Sequence, residues 1–267
     1  MTGQLSVESP RLLRHAGQRL EILEAAAAAI AEHGFHGMTM RGLAKATGRG
    51  LATFYNYFSS KEDVLFSLQS EAFETMADTA NLALKGIEEP VDRLYVFVLN
   101  HLRYSAEHRS VMRVLVHEAS ALPAGRRKTV RLLKEGYFKI CRDIVASILA
   151  ATDTARRAMA APDPAEVERV TYSMFGMLNW SYGWYDPGQH GSPEDVAKTI
   201  HALAVCGLGC PHRFAPGDPG RHPCAIAAPL QVTALGCAAA APKTRLSGTG
   251  KHIGRADARK TYGQETV

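Results

Sequence analysis

The sequence predicts an all-α protein, and three observations carry that expectation. Apolar residues recur at three- and four-residue spacing from residue 18 to about residue 208, which is the period of a helix with one buried face. Capping residues, first-turn prolines and stop glycines punctuate the same stretch at helix-length intervals. No segment alternates polar and apolar residues over the length of a strand, and hairpin signals are missing.

The elements follow in order. Leu20, Leu23, Ala27 and Ile30 give a helix over residues 18–31, stopped by Gly34. Thr39 is the expected N-cap of a short helix over 40–47, with Leu43 and Ala44 inward. Gly48-Arg49-Gly50 breaks the chain before a third short segment, 51–57. Ser60 with Asp63 three residues on forms a capping pair that starts a long helix, 61–85. Glu89-Pro90 opens a helix through Tyr104. Asp163-Pro164-Ala165-Glu166 and Ser192-Pro193-Glu194-Asp195 each set a cap, a first-turn proline and an acid in sequence, starting helices over 164–185 and 193–208.

After residue 208 the chain turns rich in Gly, Pro and Ala without a sustained period, so 209–267 is expected to be a disordered basic tail. From Cys210 onward there are eight Lys or Arg against three acids, which accounts for the whole net charge of +5 and leaves 23 of each sign in the first 209 residues. Any nucleic-acid binding must therefore come from local charge placement. The 267 residues, 46% hydrophobic and 21% charged, fit a globular protein. The first residues carry Glu8, Arg11 and Arg14 without an apolar run and are not expected to form a secretory leader. The longest apolar run, 25–31, is too short for a bilayer span, and no membrane partner is expected. Five irregularly spaced cysteines suggest reduced thiols in a cytoplasmic protein.

The stretch Thr47 to Asp63 holds most of the functional signal. A short helix, a glycine turn and a second short helix form the layout of a helix-turn-helix, whose second helix enters the major groove of DNA. Phe54 and Phe58 lie four apart and share the face that docks inward, while Thr53, Tyr55, Asn56 and Tyr57 point elsewhere. Those four carry hydroxyl and amide groups of the kind that meet phosphates and base edges. An aromatic mini-core with solvated polar neighbours is the competing reading of the rings alone.

The run "MTMRGLAKATGRGLATFYNYFSSKEDVLFSL" resembles the DNA-binding domain of TetR-family transcriptional regulators, through Gly34-Phe35, Thr39, Leu43-Ala44, Gly48, Thr53 to Tyr55, Tyr57-Phe58 and Lys61-Glu62. The resemblance covers about residues 18–68 and implies a homodimer that binds a double-stranded operator. It divides the chain into an N-terminal arm (1–17, flexible), a DNA-binding domain (18–62), a helical ligand-binding and dimerisation domain (63–208) and the tail. It places Arg41 where a base edge is reached and Thr39 where a hydroxyl meets phosphate. Leu51, Ala52, Thr53, Tyr55 and Asn56 fall at recognition-helix positions, Tyr57 at a phosphate contact, and Lys61 at the phosphate clamp. Arg49 stands where the family has an apolar residue and is expected to turn outward as an added phosphate contact. Gly50 replaces a serine cap with a weaker one.

A second likeness, in "MFGMLNWSYGWYDPGQHGSPEDVA", is to the acyl-CoA-responsive members of that family, and implies a small-molecule inducer of the acyl-CoA class. Such a ligand needs an apolar slot and cations for its phosphates. Arg103, Tyr104, Arg131, Phe138, Phe175, Asn179, Trp180 and Trp184 are the candidate ligand residues, with ordinary helix-bundle core as the plain alternative. The 164–185 and 193–208 helices are expected to pair with their symmetry mates through Val167, Val170, Met174, Leu178, Val196, Ile200, Leu203 and Ala204. A repressor answering to a drug-like or aromatic ligand stays open beside the thioester. An enzyme using His101, His117, Glu118 or Cys141 is the remote third, since no nucleophile elbow, phosphate loop or HExxH is present. No cofactor is expected. Cys206, Cys210, His212, His222 and Cys224 match no zinc spacing, so no metal is expected either.

Overall fold

Helix α1 (Pro10–His33) starts on a proline, the residue best suited to a first helical position. That is eight residues earlier than expected, because Gly17 and the lone pair Leu12-Leu13 hide the period at its start. The computed structural model describes residues 10–153 and 161–209. The N-terminal arm therefore gives way to helix from Pro10. Residues 1–9, and the tail from residue 210 with Cys210, His212, His222 and Cys224, lie outside the described residues.

Among the described residues every regular element is a helix. After α1 come α2 (Met40–Ala46), α3 (Leu51–Tyr55) and α4 (Lys61–Ala83). Then follow α5 (Pro90–Glu107), α6 (Arg109–His117) and α7 (Ala124–Asp153). The last three are α8 (Pro164–Trp184), the single turn α9 (Pro187–His190) and α10 (Pro193–Gly209). α3 ends two residues short of its expected length, with Asn56 as its C-cap. Asp186, whose side chain accepts from the Gly188 amide at 2.7 Å, caps the unforeseen α9.

The caps explain the boundaries. Thr39 Oγ1 accepts from the Gly42 amide at 3.1 Å, and Asp163 Oδ1 from the Ala165 amide at 3.0 Å. Ser192 and Asp195 make the reciprocal box at the start of α10. At α4 only half of that box forms. Ser60 Oγ accepts from the Asp63 amide at 3.0 Å, but the Asp63 carboxylate turns to Ser59 and Arg126. Burial pushes that carboxyl up, yet the hydrogen bonds from Ser59, Ser60 and Arg126 outweigh it and hold it below the ordinary aspartate range.

The turn between α2 and α3 is a Schellman motif. The Arg49 amide donates to the Ala44 carbonyl at 3.0 Å and the Gly48 amide to Lys45 at 3.1 Å, with Gly48 at φ 66°. A Cβ at Gly48 would meet nothing within 4 Å, so the backbone alone demands glycine there. Gly48→Ala is expected to cost about 1–2 kcal/mol of stability, the penalty for an L-residue in the left-handed region, read as a lower denaturation midpoint in urea.

Two packed regions share one continuous core. Ile22, Ala26, Ala27 and Ile30 of α1 close on Leu43, Ala44, Phe54 and Phe58, and Phe54 is completely buried. The alanines let α1 approach closely. In the second region α4, α5 and α7 pack on one another, α8 packs on α5, α6 and α7, and α10 on α5 and α7. Its centre is a cluster of rings in which Phe97 stacks on Tyr137 at 5.2 Å and Phe138 on Phe175 at 3.6 Å. Each ring so buried contributes about 1.5–3 kcal/mol relative to exposure.

Candidate nucleic-acid interface and ligand cavity

On the helix-turn-helix unit, Thr39 and Arg41 at the start of α2, and Ala52, Thr53 and Tyr55 of α3 with its C-cap Asn56, are exposed. Phe54 and Phe58 are buried beneath them, their rings 5.7 Å apart. Leu51 is half-buried and packs against the core, so only part of its side chain is presented.

Three of the expected contacts are engaged inside the protein. Arg49 does not turn outward: its guanidinium is 3.6 Å from Glu21 of α1, because that carboxylate stands across the turn. Tyr57 donates its hydroxyl to Gln18 at 2.8 Å. Lys61 Nζ donates to the carbonyls of Phe35 at 3.3 Å and Met38 at 3.2 Å, and lies 4.7 Å from the Phe35 ring centroid. Lys61 thus caps the turn between α1 and α2 with two of its three N–H groups. Arg19, bonded to Glu71 and to Ser67 at 2.9 Å, ties α1 to α4.

The larger helical region carries an open cavity of about 350 Å³ between α4, α6 and α7, lined by Gln69, Phe73, Leu115, Ala119, Ser120, Arg127, Val130, Arg131 and Lys134. An adjoining chamber of about 140 Å³ shares Phe73, Leu115, Ala119 and Lys134 and runs inward to Met76, Met112, Tyr137, Phe138, Phe175 and Asn179. The outer part carries three cations, none of which forms an ion pair among the described residues, while the inner part is lined by the rings of Phe73, Tyr137, Phe138 and Phe175 together with Asn179 and Lys134. Lys134 Nζ lies 5.1 Å from the Phe138 ring centroid.

The eight candidate ligand residues do not converge on one place. Arg131 lines the outer cavity, and Phe138, Phe175 and Asn179 line the inner chamber. Arg103 is instead exposed and pairs with Glu194 of α10, Nε to Oε1 at 2.8 Å. Tyr104 lies against His108, ring centroids 4.6 Å apart, and its hydroxyl pKa is raised by burial and by Glu24 and Glu71. Trp180 and Trp184 are 59% and 40% exposed on the outer face of α8. Successive helical positions point 100° apart, so neighbours in sequence here face different surroundings. Gln69, Phe73, Ala119, Ser120 and Val130 escaped the sequence reading. Gln69 alone left a signal, as a polar residue on the buried stripe of α4.

A wide apolar trough of about 660 Å³ runs between α8 and α10, lined by Met177, Trp180, Trp184, Val196, Ile200 and Leu203 among others. The expected dimer seam must be corrected on α8. Val167, Met174 and Leu178 are buried within the protomer, facing α5 and α7, and the outward stripe is Ser173, Gly176, Met177, Trp180 and Trp184.

The residues considered for catalysis make no hydrogen bond to one another among the described residues. His101 Nδ1 is 3.0 Å from the Tyr137 hydroxyl, and burial pushes its pKa down to about 4. His117 Nε2 is 2.6 Å from the Tyr182 hydroxyl. Glu118 accepts from the Phe35 amide, and burial pushes the Cys141 thiol up to about 12. Among the described residues no group of three His, Cys, Asp or Glu could hold a metal, and no helix is long and apolar enough to cross a membrane.

A three-helix unit with a Schellman turn before its exposed third helix, joined to a helical domain with a cavity, has the layout of a helix-turn-helix protein. Residues 22–68 match the family model described as bacterial regulatory proteins, tetR family, and residues 88–208 that of the tetracyclin repressor-like C-terminal domain. The chain belongs to the TetR family, whose members are transcriptional regulators and not enzymes. It is 27% identical over 146 residues to the HTH-type transcriptional regulator HbdR of Aromatoleum sp. strain CIB, covering 55% of this chain and 62% of HbdR. The chain therefore spans less than two thirds of that relative's length. A solved TetR-family regulator from Bordetella parapertussis 12822 superposes with a TM-score of 0.63 at 27% identity, covering 70% of this chain and 93% of the other. AibR, solved in complex with isovaleryl coenzyme A and operator DNA, shares the fold with a TM-score of 0.57 at 21% identity, covering 70% and 97%.

Proposed function

We propose that the protein is a repressor that binds an inverted-repeat operator as a homodimer and is released from it by an acyl-CoA thioester. The observation that carries this reading is a set of cations, Arg127, Arg131 and Lys134, beside a chamber lined by rings. That pairing suits a ligand with phosphates at one end and an acyl chain at the other. The same fold in AibR accommodates isovaleryl coenzyme A.

In this reading Thr39, Arg41, Thr53, Tyr55 and Asn56 meet DNA directly, and Ala52 and the free part of Leu51 touch thymine methyls. Arg49 exchanges its exposed pairing with Glu21, worth under about 1 kcal/mol, for a phosphate. Tyr57 and Lys61 hold α3 and the turn before α2 in place; Lys61 keeps one N–H for a phosphate, whereas Tyr57 must release its hydroxyl proton from Gln18 to donate to one. The trough of Met177, Trp180, Trp184 and Leu203 is the surface a second copy would cover, since exposed apolar area of this kind marks an association site. A two-fold dimer reads half-sites about 34–36 Å apart, or a multiple of it.

The test is fluorescence anisotropy on DNA from upstream of the protein's own gene, with a panel of short, long and aromatic acyl-CoAs and their free acids. Release by one thioester class and not by its acid supports the reading. Operator binding untouched by every thioester but released by an uncharged aromatic compound would replace the inducer class. Replacing Arg131 and Lys134 together by Ala is expected to weaken thioester binding about 10- to 100-fold by removing charged hydrogen-bond donors, measured by calorimetry. Both side chains are exposed, so the melting temperature should stay put.

A further inference from the structure

Gln69 is out of place on helix α4. It lies on the buried stripe with Leu65, Leu68, Phe73 and Met76, it is 1% exposed, and it lines the outer cavity. Its Nε2 donates to the Glu118 carbonyl at 3.0 Å. A carbonyl can only accept, so this bond settles which end of the amide is nitrogen. The other end, Oε1, is buried with no hydrogen-bond partner. A buried acceptor without a donor is rare in a folded protein and asks for a reason.

Glu118 continues the chain of contacts. Its Oε1 accepts from the Phe35 amide at 3.0 Å, and the Phe35 carbonyl accepts from Lys61 Nζ. Phe35 follows Gly34, at φ 73°, in the turn that joins α1 to α2. One amide side chain therefore links the cavity wall to the DNA-binding unit through a single intervening residue.

We propose that Gln69 reads the effector and passes its presence to the DNA-binding unit. Oε1 accepts a hydrogen bond from an N–H or O–H group of the ligand. Because the carboxamide is planar, turning Oε1 toward that donor draws Nε2 off the Glu118 carbonyl, and the hold of Glu118 on Phe35 slackens. The inference rests on the assignment of this cavity to the effector, and it adds a chemical requirement. The ligand must carry a donor beside its apolar part, as the amides of a pantetheine arm do and an ionised fatty acid does not. Coupling of this kind is reciprocal: whatever cuts the chain must also erase the ligand's effect on operator affinity.

The experiment uses the full chain as wild type, Gln69→Met and Glu118→Ala, each with and without decanoyl-CoA. Three quantities are read: hydrogen exchange of the amides at residues 34–38, operator affinity and thioester affinity. In the wild type, exchange at 34–38 should quicken on adding the thioester. Gln69→Met should show that faster exchange without ligand, by about fivefold, as expected when a local clamp is lost. Its thioester affinity should fall about tenfold, the effect of one lost hydrogen bond, and release from the operator should largely vanish. Glu118→Ala, at a half-buried site away from the fold's centre, should reproduce the fast exchange and lost release while binding the thioester no more weakly than wild type. That pattern would not arise from a merely structural role. Should Gln69→Met fail to fold, Glu118→Ala decides. Wild-type exchange at 34–38 and wild-type release in a folded variant would overturn the proposal. A wild type that binds no decanoyl-CoA excludes that chain length, and the ligand-free exchange comparison still decides the link from Gln69 to Phe35.

Discussion

Phe54→Ala is expected to lower stability by about 3–5 kcal/mol, the usual cost of emptying a buried phenylalanine site, and to abolish operator binding. Phe54 is completely buried, lies 5.7 Å from Phe58, and belongs to a helix of only five residues. A helix that short has almost no stability of its own, so its position depends on the rings that anchor it. With the anchor gone, the exposed Thr53, Tyr55 and Asn56 lose a common orientation. Thermal melting followed by circular dichroism should shift down by about 10 °C for a chain of this size. Tyr55→Phe is the matching control. Tyr55 is 50% exposed, so its melting temperature should hold within about 1 °C, the range of surface substitutions. An unchanged melt for Phe54→Ala would contradict the anchoring role.

Acidification should expose the second large effect. His101 is fully buried beside Tyr137, and burial pushes its pKa down from 6.5 to about 4. The unfolded chain protonates this imidazole near pH 6.5 and the folded protein only near pH 4, so between those values the unfolded state binds the extra proton. The stability contribution is complete above about pH 6.5 and is lost as pH falls toward 4, by a total on the order of 3 kcal/mol. Asp63 and Glu194 are lowered as well, but there the fold favours the charged form. The hydrogen bond from Arg103 is the main cause at Glu194, and the contributions of both carboxylates are lost only as pH falls through the carboxylate range. Urea denaturation from pH 7.5 to 4 should show the slope. Replacing His101 by Leu together with Tyr137 by Phe should flatten it, since exchanging both partners for apolar groups leaves no orphaned donor. A slope that survives the double replacement would assign the acid sensitivity elsewhere.

Much of the architecture was legible because it is local. Thr39, Ser60, Asp163 and Ser192 announce helix starts through bonds to amides two or three residues away, and those bonds form. Gly48 announces the turn because only glycine enters the left-handed region without strain. Phe54 and Phe58 declared an inward face four residues apart, and both are buried. The start of α1 was hidden by Gly17, and α9 was too short to show a period.

What the sequence alone determined was the helical class, the helices up to α5 with α8 and α10, and the family, all written in nearest-neighbour periods and capping chemistry; α6 and α7 were left undelimited. The tertiary structure decided where side chains go once helices meet. It turned Arg49 back onto Glu21, set Lys61 on the carbonyls of Phe35 and Met38, and put Trp180 and Trp184 on the opposite side of α8 from the chamber holding Phe138 and Phe175. It also joined Gln69, Glu118 and Phe35, residues 49 and 83 positions apart along the two bonds. A repeat of 3.6 residues tells which positions share a stripe, but the stripe's partner depends on how helices cross, and that is settled only by packing the whole core at once.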